Sequence, residues 1–305
     1  MTTEEKYPKH NKTHFYKYTD IETACLILQN KTWRWSSPSQ YNDLFDVQST
    51  VCFDCKEDVF RKTLCNEIEE IVLAKKQVDF KYIEGIGEAI VVLRDKYFSQ
   101  DYTKEDAIAI IKIMVDQLSN LREKFRTLYF QWWQKKLPYL RVFCVSEVKD
   151  SILMWSQYAD CHKGLVFKLK VLRDKGNALC NAGRVTYDKN PFTLFTTQEW
   201  IDDFIGIDDG INEKKIGDKY MYHKNKIWDY EKEWRVRFEV TEKVKPEVTD
   251  HNVCPEEIEA VYFGCLTSGE NRTKIIKLAR EVNPKVTFFQ GSKAQDRFGI
   301  VFDRI

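Results

Sequence analysis

Glu231 and Glu233 are separated by a single lysine in the run Tyr230-Glu231-Lys232-Glu233-Trp234-Arg235, which reads as the opening of a β-strand. Side chains alternate between the faces of a strand. Trp234, Val236, Phe238 and Val240 therefore share one side, and Glu231, Glu233, Arg235 and Arg237 the other. Two carboxylates about 7 Å apart at a strand's start suit stabilisation of a developing cation and orientation of a nucleophile. An edge strand with alternating solvated charges has the same spacing. A second group runs from Met154 to Gly164 and enters an apolar strand. There Ser156, Tyr158, His162 and Lys163 would form a ligand rim, since loops at strand ends commonly carry sites. His162 is either a base or phosphate donor, or a helix C-terminal residue that bonds the last carbonyls. In Tyr41-Asn42-Asp43-Leu44-Phe45-Asp46, Asn and Asp either brace a turn or orient loops around a ligand. Cys52-Phe53-Asp54-Cys55 is a lone CxxC without a second pair at zinc spacing, so no metal is expected. The chain has no Gly-rich phosphate loop, HExxH, GxSxG or GxGxxG. Familiar hydrolase triads and kinase-type sites are thereby set aside.

Elements that would position these residues follow from periodicity. Residues 15–18 read as an aromatic strand, Thr19 and Glu22 as the capping box of a helix ending near Asn30, and 32–36 as a second strand. From 57 to 136 apolar residues recur at three and four positions, as in Ile108, Ile111, Val115, Leu118 and Leu121, which predicts helices. The aromatic end of this block, Phe125, Tyr129, Trp132 and Trp133, is expected to pack against the sheet domain. Period-two patterns predict strands at 141–146, 165–170, 184–187, 233–240, 259–263, 286–289 and 300–303. Helices are expected at 151–160 and 268–282, and around 197–204 and 213–226. Several strands per helix without regular alternation predict an α+β core, 1–56 with 139–305, and a helical insertion or lid, 57–138.

The 305 residues carry 48 Lys+Arg against 47 Asp+Glu, a net charge of +1, so no global field draws the chain to nucleic acid or membrane. Lys163, Lys168 and Lys170, with Lys214, Lys215, Lys219, Lys224 and Lys226, would track a nucleic-acid backbone locally, with Tyr220, Tyr222 and Trp228 stacking bases. Asp202, Asp203, Asp208 and Asp209 balance them if they are simply solvated. No apolar run reaches about 18 residues, the first twelve residues are polar, and the nine cysteines are odd in number. The expectation is a cytoplasmic protein with reduced thiols and no membrane span.

Taken together, Tyr16-Lys17-Tyr18, Ser36-Ser37-Pro38 with Asn42-Asp43, the Met154 to Gly164 block and Glu231 to Arg235 resemble an uncharacterised bacterial family of unknown function. That resemblance covers nearly all of the chain outside the helical block. The opening 15–19, followed by Ile27-Leu28 and 33–36, together with Glu231-Lys232-Glu233, is also similar to ADP-ribosyltransferases, especially toxins that modify nucleic acids. It further resembles the toxin of toxin, antitoxin and chaperone phage-defence systems. The likeness implies an ADP-ribosyltransferase-like mixed-sheet core and NAD as donor. It also implies RNA as the favoured acceptor, with protein the nearest variant, and a cognate antitoxin and a chaperone as partners. By the same likeness Glu233 steadies an oxocarbenium-like ribose and Glu231 orients or deprotonates the acceptor. Tyr18 or Tyr41 would stack on nicotinamide, and Lys17, Arg34 or Arg235 would meet the diphosphate. Thr19, Ser156, Tyr158 and His162 would complete the donor site. Lys17 stands where His or Arg is expected, and it supplies a point charge without imidazole's neutral donor and acceptor or arginine's fork. A different class of function is a catalytically inactive sensor or binding module in which Glu231 and Glu233 are structural.

Overall fold

The structure, a computed structural model, describes residues 10–305 apart from 51, 75, 119, 208–212 and 244. In chain order the elements are β1 His14–Thr19, α1 Ile21–Asn30, β2 Thr32–Ser36, α2 Glu57–Val72, α3 Ile86–Phe98, α4 Lys104–Gln117, α5 Leu121–Lys136 and β3 Leu140–Ser146. There follow α6 Ile152–Tyr158, β4 Leu165–Lys170, β5 Gly183–Arg184, β6 Thr186–Asp188, α7 Thr197–Ile205, α8 Glu213–Met221 and β7 His223–Asn225. The chain closes with β8 Glu233–Glu239, β9 Val248–Asn252, β10 Ile258–Phe263, α9 Gly269–Val282, β11 Thr287–Lys293 and β12 Ile300–Arg304. Two compact units result, 1–48 with 136–189 and 221–305, and 49–135 with 190–220.

The first unit is α+β, built on a mixed sheet of ten strands among the described residues. Strand order is β12-β11-β10-β4-β1-β3-β2-β9, with β8 paired to β3 and β5 to β8. The alternation read from the sequence sets its two faces. Phe15, Phe143, Phe167, Trp234 and Val236 pack in one apolar cluster with Ile27 and Leu28 of α1 and Ile275 and Ala279 of α9. Fully burying each such large side chain contributes about 1.5–3 kcal/mol. Tyr16, Tyr18, Val166 and Tyr262 belong to a second cluster with Met154 and Trp155 of α6. Register then aligns the polar positions. Tyr16 lies opposite Ser146, and Ser146 opposite Glu233, giving one row across β1, β3 and β8, with Cys144 opposite Arg235 beside it.

Several local expectations are corrected. The cap of α1 is Asp20, whose carboxylate accepts from Thr23 N at 2.7 Å, and Thr19 is still strand. The strand expected at 184–187 splits around buried Val185 into β5, paired to β8, and β6, paired to β7. The helix expected around 213–226 stops at Met221, and Lys224 falls on β7 instead. β9, a polar segment without alternation, forms because β2 offers it a backbone ladder from Thr32↔Asn252 to Ser36↔Val248.

The second unit contains the helical block. Its three- and four-residue spacing buries Phe60, Leu64, Ile68 and Ile71 on α2, Ile90 and Leu93 on α3, and Ala107, Ile111 and Val115 on α4. The aromatic end packs on residues of the 190–220 stretch within this unit. Phe125 and Tyr129 each lie 5.2 Å from Trp200, and Trp133 stacks on Tyr220 at 4.5 Å. Residues 190–220, assigned to the sheet core by the sequence reading, therefore belong with the helices. Cys52 and Cys55 also lie here, with Cys55 Sγ accepting from Thr197 Oγ1 at 2.9 Å. Among the described residues no His, Cys, Asp and Glu cluster could hold a metal, and no helix is long and apolar enough to cross a membrane.

Candidate functional site

The first unit carries an open cleft of about 590 Å³ on the sheet face that bears Tyr16 and Tyr18. β1 supplies Tyr16, Lys17 and Tyr18 to its wall, and β3 supplies Cys144, Val145 and Ser146. Met154 and Tyr158 come from α6, while Tyr41, Asn42 and Asp46 come from the loop after β2. Lys224, Glu231 and Glu233 complete the lining. Glu231 is not on the strand: it ends a 3-10 turn, Lys226–Glu231, and Lys232 in the left-handed region (φ 46°) swings the chain into β8 at Glu233. Both carboxylates still reach the same cleft.

Beneath it lies a buried charge network. Arg235, 0% exposed, grips Glu233 with both arms of its fork, Nε to Oε1 and Nη2 to Oε2, each 2.8 Å. Nη2 also donates to Asp46 Oδ2 at 2.7 Å and Nη1 to the Met221 carbonyl at 2.8 Å. Lys224 Nζ sits among Glu231 Oε2 at 2.6 Å, Asp46 Oδ2 at 3.2 Å and Glu233 Oε2 at 3.3 Å. Tyr158 donates its hydroxyl to Glu231 Oε1 at 2.7 Å, and the Glu233 backbone N–H donates to Tyr187 Oη at 2.8 Å. Three carboxylates thus share two cations.

The two glutamates are driven apart electrostatically. Burial pushes Glu233 up, but the Arg235 guanidinium and the Lys224 ammonium outweigh it and hold its carboxyl well below the usual range. For Glu231 burial dominates over the Lys224 ammonium and, with the Glu233 charge, raises the carboxyl. Burial lowers Lys17, whose ammonium donates to the Cys144 carbonyl at 2.9 Å and lies 5.0 Å from the Phe143 ring. The Cys144 thiol is pushed up to about 12, first by burial and then by Glu233. Its Sγ lies 3.3 Å from Tyr41 Oη.

Of the residues singled out from the sequence, Lys17, Tyr18, Tyr41, Tyr158, Glu231 and Glu233 converge on the cleft. The others lie elsewhere. Thr19 ends β1 as a buried residue against Gly164, Arg34 is exposed and pairs with Asp250 at 3.0 Å, and Ser156 bonds His162 at 3.2 Å. The His162 ring lies parallel to Trp155, and neither Ser156 nor His162 lines the cleft. Arg235, expected at the diphosphate, has its guanidinium engaged internally. Lys224, which the sequence groups with solvated or backbone-tracking lysines, is instead 7% exposed at the centre of the network. Nothing local distinguishes it from its neighbours in the lysine-rich run. Asp46 belongs to the Tyr41 to Asp46 motif, but its ion partners are 178 and 189 positions away and only the fold brings them together.

The comparisons add a family without chemistry. Residues 154–236 match the family described as Protein of unknown function (DUF2971). That span runs from Met154 in α6 into β8 and so includes both the Met154 to Gly164 block and Glu231 to Arg235, in agreement with the family resemblance read from the motifs. The DUF2971 span supplies Met154, Tyr158, Lys224, Glu231 and Glu233 to the cleft, while Tyr16, Lys17, Tyr18, Tyr41 and Asp46 precede it. No curated protein and no solved structure matches the chain.

Proposed function

We propose that the cleft is the donor site of a cytoplasmic NAD-dependent ADP-ribosyltransferase acting on a nucleic acid, RNA foremost, as the toxin of a phage-defence system. The observation that carries this reading is that Glu231 and Glu233 share one cleft with the Tyr16-Lys17-Tyr18 strand and Tyr41. Cleaving the nicotinamide–ribose bond builds positive charge on the ribose, and a site gains rate from groups that interact more strongly as that charge grows. Glu233, kept ionised by Arg235 and Lys224, supplies a fixed negative charge that needs no rearrangement at that moment. Glu231 suits the base that orients or deprotonates the acceptor, because its raised carboxyl takes a proton more readily. Its oxygens accept from Tyr158 and Lys224, which leaves acceptor capacity on each. Tyrosines 16, 18, 41 and 158 give flat surfaces suited to a cationic nicotinamide ring. On this reading the mixed sheet is an ADP-ribosyltransferase-like core, and a cognate antitoxin and a chaperone keep the protein silent.

A second reading, a non-catalytic binding module, is favoured by one feature: Arg235 occupies both oxygens of Glu233, as in a structural ion pair. Incubation with NAD labelled in its ADP-ribose moiety, total RNA and lysate protein separates the two. The enzyme reading expects label on RNA, a drop of about 10²-fold or more for Glu231→Gln, and a comparable drop for Glu233→Gln in protein shown to be folded. NAD binding without transfer to either acceptor would establish the module, and full activity of both variants would refute the site.

A further inference from the structure

Glu231 is held twice, once by its main chain and once by its carboxyl. Its carbonyl accepts from Ser146 Oγ of β3 at 2.6 Å, which anchors the backbone at the end of the 3-10 turn. The carboxyl has a donor on each oxygen: Lys224 Nζ lies 2.6 Å from Oε2, and Tyr158 Oη donates to Oε1 at 2.7 Å. Lys224 is shared with Asp46 and Glu233. A phenol has a single proton to donate, so Tyr158 serves Glu231 alone. It does so from the last residue of α6, where the preceding residue, Gln157, accepts from Tyr230 Oη at 2.5 Å. Adjacent residues of α6 thus meet adjacent residues of the turn, one bond on the carboxyl and one beside it.

A donor on an ionised carboxylate favours that form over the protonated one, and more so where little water competes. The groups around Glu231 keep their charge while it titrates. Lys224 of β7 is held as a cation and Glu233 of β8 as an anion, with Asp46 and Arg235 tied to them. Burial raises the phenols of Tyr187 on β6 and of Tyr230. Tyr158 is raised too, by burial and then by the Glu231 charge, so it stays a neutral donor. Resting on the donor-site reading above, we propose that Tyr158 is the positioning residue of the base: it fixes Oε1 of Glu231 and sets the pH at which that carboxylate can take the acceptor's proton. As the acceptor bonds to the ribose and nicotinamide leaves, that proton passes to Glu231, and Tyr158 keeps its own.

Tyr158→Phe keeps the ring and removes only the donor, which leaves the carboxylate less favoured. In the pH dependence of label transfer from NAD to total RNA, the pH below which transfer fails is expected to rise by about one unit, the size of a hydrogen bond to a charged group. A merely structural loss would lower the rate equally at every pH. Tyr230→Phe loses the neighbouring bond and is expected to leave that pH in place, while Tyr158→fluorotyrosine, a stronger donor, is expected to lower it. A carbon-13 NMR titration of the Glu231 carboxyl in the ligand-free chain, assigned by the signal missing from Glu231→Gln, reads the same shifts without turnover. A midpoint unmoved by both changes at 158 overturns the inference and leaves the donor site standing. An equal rise in Tyr230→Phe also overturns it, since the effect then belongs to the docking of α6. If the midpoint moves as expected but no label is transferred at any pH, the donor site falls and the control of Glu231 by Tyr158 stands.

Discussion

Lys224 decides how the acidic side chains of the cleft coexist. Its ammonium lies within 3.3 Å of an oxygen of Asp46, Glu231 and Glu233, in a place with almost no water to screen their repulsion. Burial alone would lower its own affinity for the proton, but the three carboxylates reverse the shift and raise it, so the lysine stays charged. Lys224→Met keeps the aliphatic stem and removes the charge, leaving Arg235 as the single cation hydrogen-bonded to Asp46 and Glu233. Removing one partner of a buried ion pair costs about 3–5 kcal/mol, and a loss of that size is expected in urea denaturation. Adding Glu231→Gln should return part of the loss, because it removes a carboxylate that Lys224 alone neutralises. A double variant as unstable as the sum of the two singles would show that the network is not coupled through Lys224. Glu231 and Glu233 were visible as candidates from spacing; Lys224 was not, because a buried lysine and a solvated one have the same letter.

At the scale of elements, α6 reaches β4 through three consecutive left-handed residues, Asp160, Cys161 and His162, at φ 44°, 50° and 69°. Each costs roughly 1–2 kcal/mol for a residue with a Cβ. The turn is held from outside: Cys161 N donates to the Ser156 carbonyl at 3.3 Å, His162 N to the Trp155 carbonyl at 3.1 Å, and Leu266 N to the His162 carbonyl at 3.0 Å. It closes only against glycines. A Cβ at Gly264 would lie 2.1 Å from His162 O, and one at Gly164 2.3 Å from Thr19 O. Gly264→Ala is therefore expected to cost more than about 3 kcal/mol in denaturant unfolding, as backbone has to move, and to weaken ligand binding at the cleft that α6 lines. An unchanged midpoint would mean that the close approach is not needed. The sequence showed a helix end and a glycine turn here, but it could not show that His162 serves the turn, since its contacts with Trp155 and Leu266 come from the closure itself. β1, α1, β2 and β4 were readable because an apolar side chain recurs at the period of the element. β7 and β9 have no such rhythm; they exist because β6 and β2 present partners for their backbones.

For the whole molecule, the balance of 48 basic and 47 acidic residues hides a buried acid, away from the cleft, whose carboxyl is raised as that of Glu231 is. Glu257, at the end of the 3-10 turn Pro255–Glu257, is 7% exposed and accepts from Asn177 Nδ2 at 3.2 Å. Burial pushes its carboxyl from the ordinary 4.5 up to about 7. The folded state thus holds a proton that the unfolded chain has released, so this contribution to stability is complete below about pH 4.5 and is lost as pH rises through 7. Its size is on the order of 3 kcal/mol. Glu257→Gln is expected to remove that slope and to be more stable than wild type at pH 8 in thermal unfolding; parallel curves from pH 5 to 8 would remove Glu257 as the cause. By itself the sequence determined the class of fold, the helical block, most of the strands and the acidic pair with its aromatic counterpart, because these depend on side-chain period and on local order along the chain. Only the tertiary structure decided that Asp46 and Lys224 join that pair, that the Arg235 guanidinium is engaged internally, that His162 meets Ser156 and Trp155, and that residues 190–220 go with the helices. Those outcomes depend on which distant groups share a dry enclosure, where desolvation and pairing, absent from any local pattern, set the energies.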